Sequence, residues 1–86
     1  MKLIVNGKIR IIRKKYIDYH TDDTFYCNYK NHTIEISKQE IGGFYCKVKN
    51  SAGMYVVDGY YGVHYYEKDI KTIKDCLKEC IENILI

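Results

Sequence analysis

Four cysteines (Cys27, Cys46, Cys76, Cys80) and three histidines (His20, His32, His64) are the residues through which this 86-residue chain could do metal or redox chemistry. Structural zinc sites take their ligands from short pairs of cysteines on turns. Here only Cys76 and Cys80 are close, and they lie four apart on a helix, a poor arrangement for bridging each other. An all-cysteine site would need Cys27 and Cys46 to converge on that pair from two different strands. The packing reading fits the pattern better. Cys27 shares strand parity with Phe25, Cys46 lies between Phe44 and Val48, and Cys76 and Cys80 flank Leu77. Free cysteine behaves as a small buried hydrophobe. Reduced core cysteines are the expectation, and a small zinc or redox protein is the third functional reading. No cofactor is called for.

The other chemistry-bearing residues do not assemble. The histidines show no metal spacing and no nucleophile–base arrangement with Ser37, Ser51 or a cysteine. Asp22–Asp23 reads as a turn, and Asp75 with Glu79 as a solvated helix face. Gly42–Gly43 lacks the lysine and helix that a phosphate loop requires. The expectation is a protein that is not an enzyme.

Size points the same way. A domain of this length buries only ~60–65% of the surface its unfolded chain exposes, which leaves little room for a deep cavity and favours a surface function. Isoleucine (13), lysine (12), tyrosine (10) and asparagine (5) make up 40 of the 86 residues, while proline and tryptophan are absent. All four have AT-rich codons, which suggests an AT-rich genome or a mobile element living in one. Phenylalanine is equally AT-rich and occurs twice, so codon bias does not account for ten tyrosines. Tyrosine joins a large apolar body to a hydroxyl and suits half-exposed sheet positions and contact surfaces.

The formal charge of +3 is unevenly spread. Lys2, Lys8, Arg10, Arg13, Lys14 and Lys15 all precede the first acidic residue, Asp18. Such a segment attracts nucleic acid, an acidic lipid surface or an acidic partner, or simply solubilises a hairpin. The apolar runs Leu3–Val5 and Ile84–Ile86 are too short for a signal-peptide core or a membrane span. A cytoplasmic protein without membrane association is expected.

The elements that must position these residues read as one small α+β domain over 1–86, with about 5–7 short antiparallel strands packed on one C-terminal amphipathic helix. Residues 1–37 form a basic N-terminal hairpin and further strands. Asn6-Gly7 predicts a two-residue type I′ turn, with Val5 opposite Lys8 and Leu3 opposite Arg10, and with Ile4, Ile9 and Ile11 on the other face. Thr21-Asp22-Asp23 predicts a turn. Thr24–Lys30 alternates with Phe25, Cys27 and Tyr29 on one side, and Thr33–Ser37 follows with Ile34 and Ile36 facing in and Glu35 facing out.

Residues 44–65 read as a three-stranded meander. The loop Ser51-Ala52-Gly53, with Gly53 left-handed, pairs Asn50 with Met54 and Val48 with Val56. Asp58-Gly59 reads as a second type I′ turn leading to a third strand. The predicted inner face carries Phe44, Cys46, Val48, Met54, Val56, Tyr61, Val63 and Tyr65, and the outer face Tyr45, Lys47, Lys49, Tyr55, Val57, Tyr60, Gly62 and His64. A helix over 67–86 begins near Glu67–Asp69, with Ile70, Ile73, Leu77, Cys80, Ile81 and Ile84 as its apolar stripe.

The outer face is the candidate binding surface: Tyr45, Tyr55 and Tyr60 among Lys47, Lys49 and His64, with Lys8, Arg10 and Arg13 of the hairpin as further contacts. Aromatics among basic residues suit single-stranded nucleic acid, and tyrosine is also enriched in protein interfaces. Two plain alternatives are that Tyr55 covers Gly62 across the sheet, and that the N-terminal strands fold over this face. No RNP-type motif or β-α-β-β-α-β order is present. The strand–strand–strand–helix order is similar to the arrangement in HicB-like antitoxins, but the family's residues after the third strand are not matched and no site is carried over.

The leading expectation is a protein-binding module whose partner is a larger protein or nucleoprotein complex. It would resemble the small phage or plasmid accessory proteins that inhibit a host machine, inhibitors of CRISPR-type nucleases included. The second is a single-stranded nucleic-acid or RNA binder. Monomer and homodimer both stay open.

Overall fold

The computed structural model describes residues 1–63 and 69–86. Asn6 and Gly7 both adopt positive φ (52° and 76°), as a type I′ turn requires. They join β1 (Lys2–Val5) to β2 (Lys8–Ile11) in a two-stranded sheet. The pairing is the one the turn chemistry predicts: Val5↔Lys8, Leu3↔Arg10 and Ile4↔Ile9. A short 3-10 turn (Lys14–Tyr16) then leads into a five-stranded antiparallel sheet in sequential order. Its strands are β3 (Ile17–His20), β4 (Thr24–Tyr29), β5 (His32–Lys38), β6 (Phe44–Lys49) and β7 (Tyr55–Tyr61).

Local side chains hold the connections. Between β3 and β4, Thr21 Oγ1 accepts from the amides of Asp23 (3.3 Å) and Thr24 (3.0 Å). Between β4 and β5, Lys30 and Asn31 form a tight turn at φ 47° and 61°. Lysine is uncommon in that left-handed region, so nothing at this position announces the turn. Between β6 and β7, Asn50 Oδ1 accepts from Ala52 and Met54 (both 3.0 Å), and the Asn50 amide donates to the Met54 carbonyl. This is the predicted three-residue loop.

Beyond that loop the structure departs from the expected meander in two ways. The register shifts past Met54, so that Lys49 faces Tyr55 and Val48 faces Val57, leaving Val56 as the extra residue of a bulge. Val57 therefore turns inward and is buried, while Met54 and Val56 are exposed, which reverses the faces assigned to all three. Asp58-Gly59 is also not a turn. Strand β7 runs straight through it, with Asp58 paired to Lys47 and Gly59 to Cys46. Continuous pairing along the whole of β6 outcompetes a turn that would split the strand. Tyr55 consequently does not cross Gly62; its partner is Lys49. No strand follows β7 among the described residues. The expected positions of His64 and Tyr65 lie outside the described residues.

The helix α1 spans Ile73–Ile84 and so starts later than the acidic Glu67–Asp69 stretch suggests. Thr72 sets the boundary. Its Oγ1 accepts from the Asp75 amide (3.1 Å), and Asp75 Oδ2 accepts from the Thr72 amide (2.9 Å), forming a capping box. Oδ2 takes the Lys71 amide as well (2.9 Å). Burial pushes the Asp75 carboxyl up, but these hydrogen bonds hold it below the ordinary range.

The apolar side of α1 (Ile73, Cys76, Leu77, Cys80, Ile81) lies on the inner sheet face formed by Phe25, Cys27, Tyr29, Ile34, Ile36, Phe44, Cys46, Val48 and Val57. Strand β1 meets α1 from the same side, adding Leu3 and Val5, with Ile12 beyond them. All four cysteines are free and buried in this core. No helix among the described residues is long and apolar enough to cross a membrane.

Candidate interaction surface

The core packs on one face of the sheet only. Helix and hairpin both sit on that face, and no described element covers the other. Strand alternation and the observed pairings set out the open face as three rows: Tyr19–Tyr26–Glu35–Lys47–Asp58, Thr24–Ser37–Tyr45–Tyr60 and Asn28–Thr33–Lys49–Tyr55. Five tyrosines thus share one surface. Tyr19, Tyr55 and Tyr60 are each about half exposed (51%, 50% and 54%).

The aromatic rings are held by neighbours across the strands. Tyr45 and Tyr60 meet edge to face with centroids 4.7 Å apart, and Tyr19 and Tyr26 lie tilted at 5.8 Å. Lys47 Nζ sits 5.4 Å from the Tyr45 ring centre, and Lys49 Nζ 5.0 Å from that of Tyr55. Such cation–π contacts contribute about 0.5–1 kcal/mol at exposed sites. The Tyr45 hydroxyl donates to Asp58 Oδ1. Together these contacts fix ring positions before any partner arrives, which lowers the ordering cost of binding.

The face is electrically mixed. Lys47 stands between Glu35 and Asp58 in its row, and Asn28 Nδ2 donates to Asp18 Oδ2 (3.2 Å) at the β3 edge. Two lysines are therefore set among three carboxylates. Single-stranded nucleic acid calls for a positively charged groove beside the stacking rings, and this surface has none.

Of the residues expected to act together, the structure groups Tyr45, Lys47, Lys49, Tyr55 and Tyr60. It places Lys8 and Arg10 elsewhere, on β2 of the hairpin, and Arg13 past the hairpin at the start of the 3-10 turn. Lys8 and Arg13 are exposed, and Arg10 is half-buried. His64 lies outside the described residues. Asp58 was hidden by its reading as a turn residue. Tyr26 was within reach, since the alternation that turns Phe25 and Cys27 inward turns it out.

The hydrogen bond to Asp58, with desolvation and nearby charge adding to it, pushes the Tyr45 phenol up to about 12. Ionising Tyr45 would put a phenolate against a carboxylate, so the bond holds the neutral phenol. In an NMR titration of ring-labelled tyrosine, Tyr45 should ionise late, and Asp58→Asn should return it toward the ordinary value of about 10. An unchanged Tyr45 titration in that variant would show that the bond does not hold in solution.

The cysteines form no comparable site. The Cys46 thiol has Cys76 and Cys80 as neighbours: the hydrogen bond with Cys76 favours its thiolate, while that with Cys80 and burial push the thiol up. Burial, and to a lesser extent Asp18, push Cys27 up to about 12. Neither environment promotes the thiolate that redox chemistry or metal binding uses. No group of three or more candidate metal ligands forms among the described residues. Comparison with family models, curated proteins and solved structures returned no match.

Proposed function

We propose that this chain is a non-enzymatic protein-binding module whose open sheet face docks on a larger protein or nucleoprotein complex. The observation that carries this reading is the set of five tyrosines on an uncovered face with charges of both signs. Tyrosine buries large area at low conformational cost, and hot spots at interfaces are enriched in it. Mixed charge selects a complementary partner surface and disfavours wrong ones. A small accessory protein that inhibits or modulates a host machine by occupying its surface, as phage and plasmid proteins do, is the biological setting proposed.

The test is affinity capture from the producing cell with the parent chain and with a Tyr55→Ala/Tyr60→Ala variant, alongside thermal melts of both. The expected result is capture weakened by at least about tenfold in the variant, since truncating a central hot-spot tyrosine costs 2 kcal/mol or more, with an unchanged melt. Undiminished capture by the folded variant counts against the reading. So does retardation of single-stranded oligonucleotides that weakens steeply with salt, which would favour nucleic-acid binding.

A further inference from the structure

The hairpin presents a second surface, made of different residues from the tyrosine face. Strand β2 pairs with β1 on one edge and with no described strand on the other. The ladder alternation says which groups point outward. Ile12 N donates to Met1 O (2.8 Å) and the Met1 amino group to Ile12 O (2.5 Å), so Met1 and Ile12 form a hydrogen-bonded pair. The same parity makes Leu3↔Arg10 and Val5↔Lys8 hydrogen-bonded pairs. Ile9 and Ile11 therefore direct their N–H and C=O groups away from β1, where no described group meets them.

Their side chains are equally open. Ile9 and Ile11 are 57% and 61% exposed, and Ile4, opposite Ile9, is 60% exposed. Natural edge strands are normally blunted by proline, bulges, charges that point inward or a covering element. At β2 the charges alternate with the isoleucines instead of replacing them. Lys8 and Arg10 project to the face of the buried Leu3 and Val5, and Ile9 and Ile11 to the open one, so the edge carries inward-facing charge but no proline, bulge or described covering element. Arg10 Nε is buried and has no hydrogen-bond partner among the described residues. At the end of the strand, a cleft of about 620 Å³ opens between Ile11 and the β4–β5 turn. Arg13 and Lys30 line it, and no described carboxylate does.

We propose that the free edge of β2 is a strand-addition site for an extended segment of a partner protein in which acidic and aliphatic residues alternate. Side chains on adjacent strands meet same face to same face. A segment in register places carboxylates beside Lys8 and Arg10 and aliphatic groups beside Ile9 and Ile11, while its backbone takes up the free N–H and C=O groups. A second copy of this chain fits poorly, because antiparallel pairing of β2 with itself brings Lys8 and Arg10 together across the strands, and like charges directly opposite are destabilising. Nucleic acid would engage the cations and leave the isoleucines unused.

The test uses the full isotope-labelled chain and three capped six-residue peptides. One alternates glutamate and valine, one alternates lysine and valine, and one has the composition of the first with its glutamates and valines in separate blocks. The Glu/Val alternating peptide should shift the amides of Ile9 and Ile11 and slow their hydrogen exchange by at least about tenfold, with binding weakened by salt. The other two should do neither. Ile11→Glu should abolish the effect while keeping the folded spectrum. Ile9→Pro should do the same, because it removes only an outward-facing N–H, a place where sheets tolerate proline.

Several results would overturn the proposal. One is an absence of shifts at millimolar alternating peptide. Another is equal binding of the blocked peptide, or shifts confined to the Tyr45–Tyr60 face. A concentration-dependent dimer that protects Ile9 and Ile11 without peptide would assign the edge to a second copy. Binding to phosphatidylserine vesicles that is lost in Ile11→Glu, with no peptide binding, would assign it to a lipid surface.

Discussion

Leu77→Ala is expected to lower stability by about 2–5 kcal/mol and the melting temperature by at least about 10 °C. Leu77 is fully buried on the face of α1 that crosses β5, β6 and β7, with Ile73, Cys76, Cys80 and Ile81 around it. Truncation removes the transfer free energy of the lost carbons and leaves a cavity. The neighbours that would have to close it are strands tied into a continuous ladder, so the site collapses poorly. A domain of this size has total stability toward the low end of about 5–15 kcal/mol, and the variant should be substantially unfolded at elevated temperature. A thermal melt by circular dichroism checks this. A transition within a degree or two of the parent would remove Leu77 from the core.

The second large effect is expected at Gly43, in the connection from β5 to β6. Its φ is +76°, and an added Cβ would lie 2.4 Å from Val63 Cγ1 and 2.8 Å from the Tyr61 carbonyl oxygen. The side-chain methyl can rotate away, but the backbone oxygen can move only by displacing the end of β7. Gly43→Ala therefore combines a left-handed alanine, about 1–2 kcal/mol, with overpacking of about 1–3 kcal/mol. A loss of about 2–5 kcal/mol in urea unfolding is expected. Gly53→Ala is the matched control, because Gly53 has a similar φ of +81° with nothing within 4 Å of the added atom. Equal losses in the two variants would contradict the close approach at Gly43.

Local chemistry is what made parts of this fold readable. Asn6-Gly7 specifies its own turn and hence the whole register of β1 and β2. The run from Phe44 to Lys49 alternates cleanly because one face is core and the other is open. The apolar stripe of α1 follows from helical spacing. What escaped depends on competition between local and non-local pairing. Asp58-Gly59 has the composition of a turn, but a strand already paired along β6 has more to lose by folding back. The bulge at Val56 has no residue signature, because Val56 and Val57 are interchangeable in pattern and only the contacts of the folded sheet separate them. The Thr72–Asp75 capping box is written in the sequence three residues past Asp69, but the acidic Glu67–Asp69 stretch is the more conspicuous helix-start signal.

The candidate surface survived these misreadings for a specific reason. The bulge reverses the parity of β7 after Tyr55, and the missing turn reverses it again relative to the expected third strand. Tyr60 therefore faces outward under either reading, as Tyr55 does. The misassigned residues were Met54, Val56, Val57 and Val63, and the overlooked ones on the open face were Tyr19, Tyr26 and Asp58. Asp58 changes the chemistry of the face most, since with Glu35 and Asp18 it sets carboxylates beside Lys47 and Lys49.

The central claim is that the open sheet face meets a partner protein, and photo-crosslinking in the producing cell tests it most directly. A benzophenone amino acid is placed in turn at Tyr55, at Tyr60 and at the exposed Lys74 on the helix side. The account predicts one discrete protein adduct from Tyr55 and Tyr60 and none from Lys74. Adducts from Lys74 alone, or crosslinks from the two tyrosine positions to nucleic acid, would contradict it.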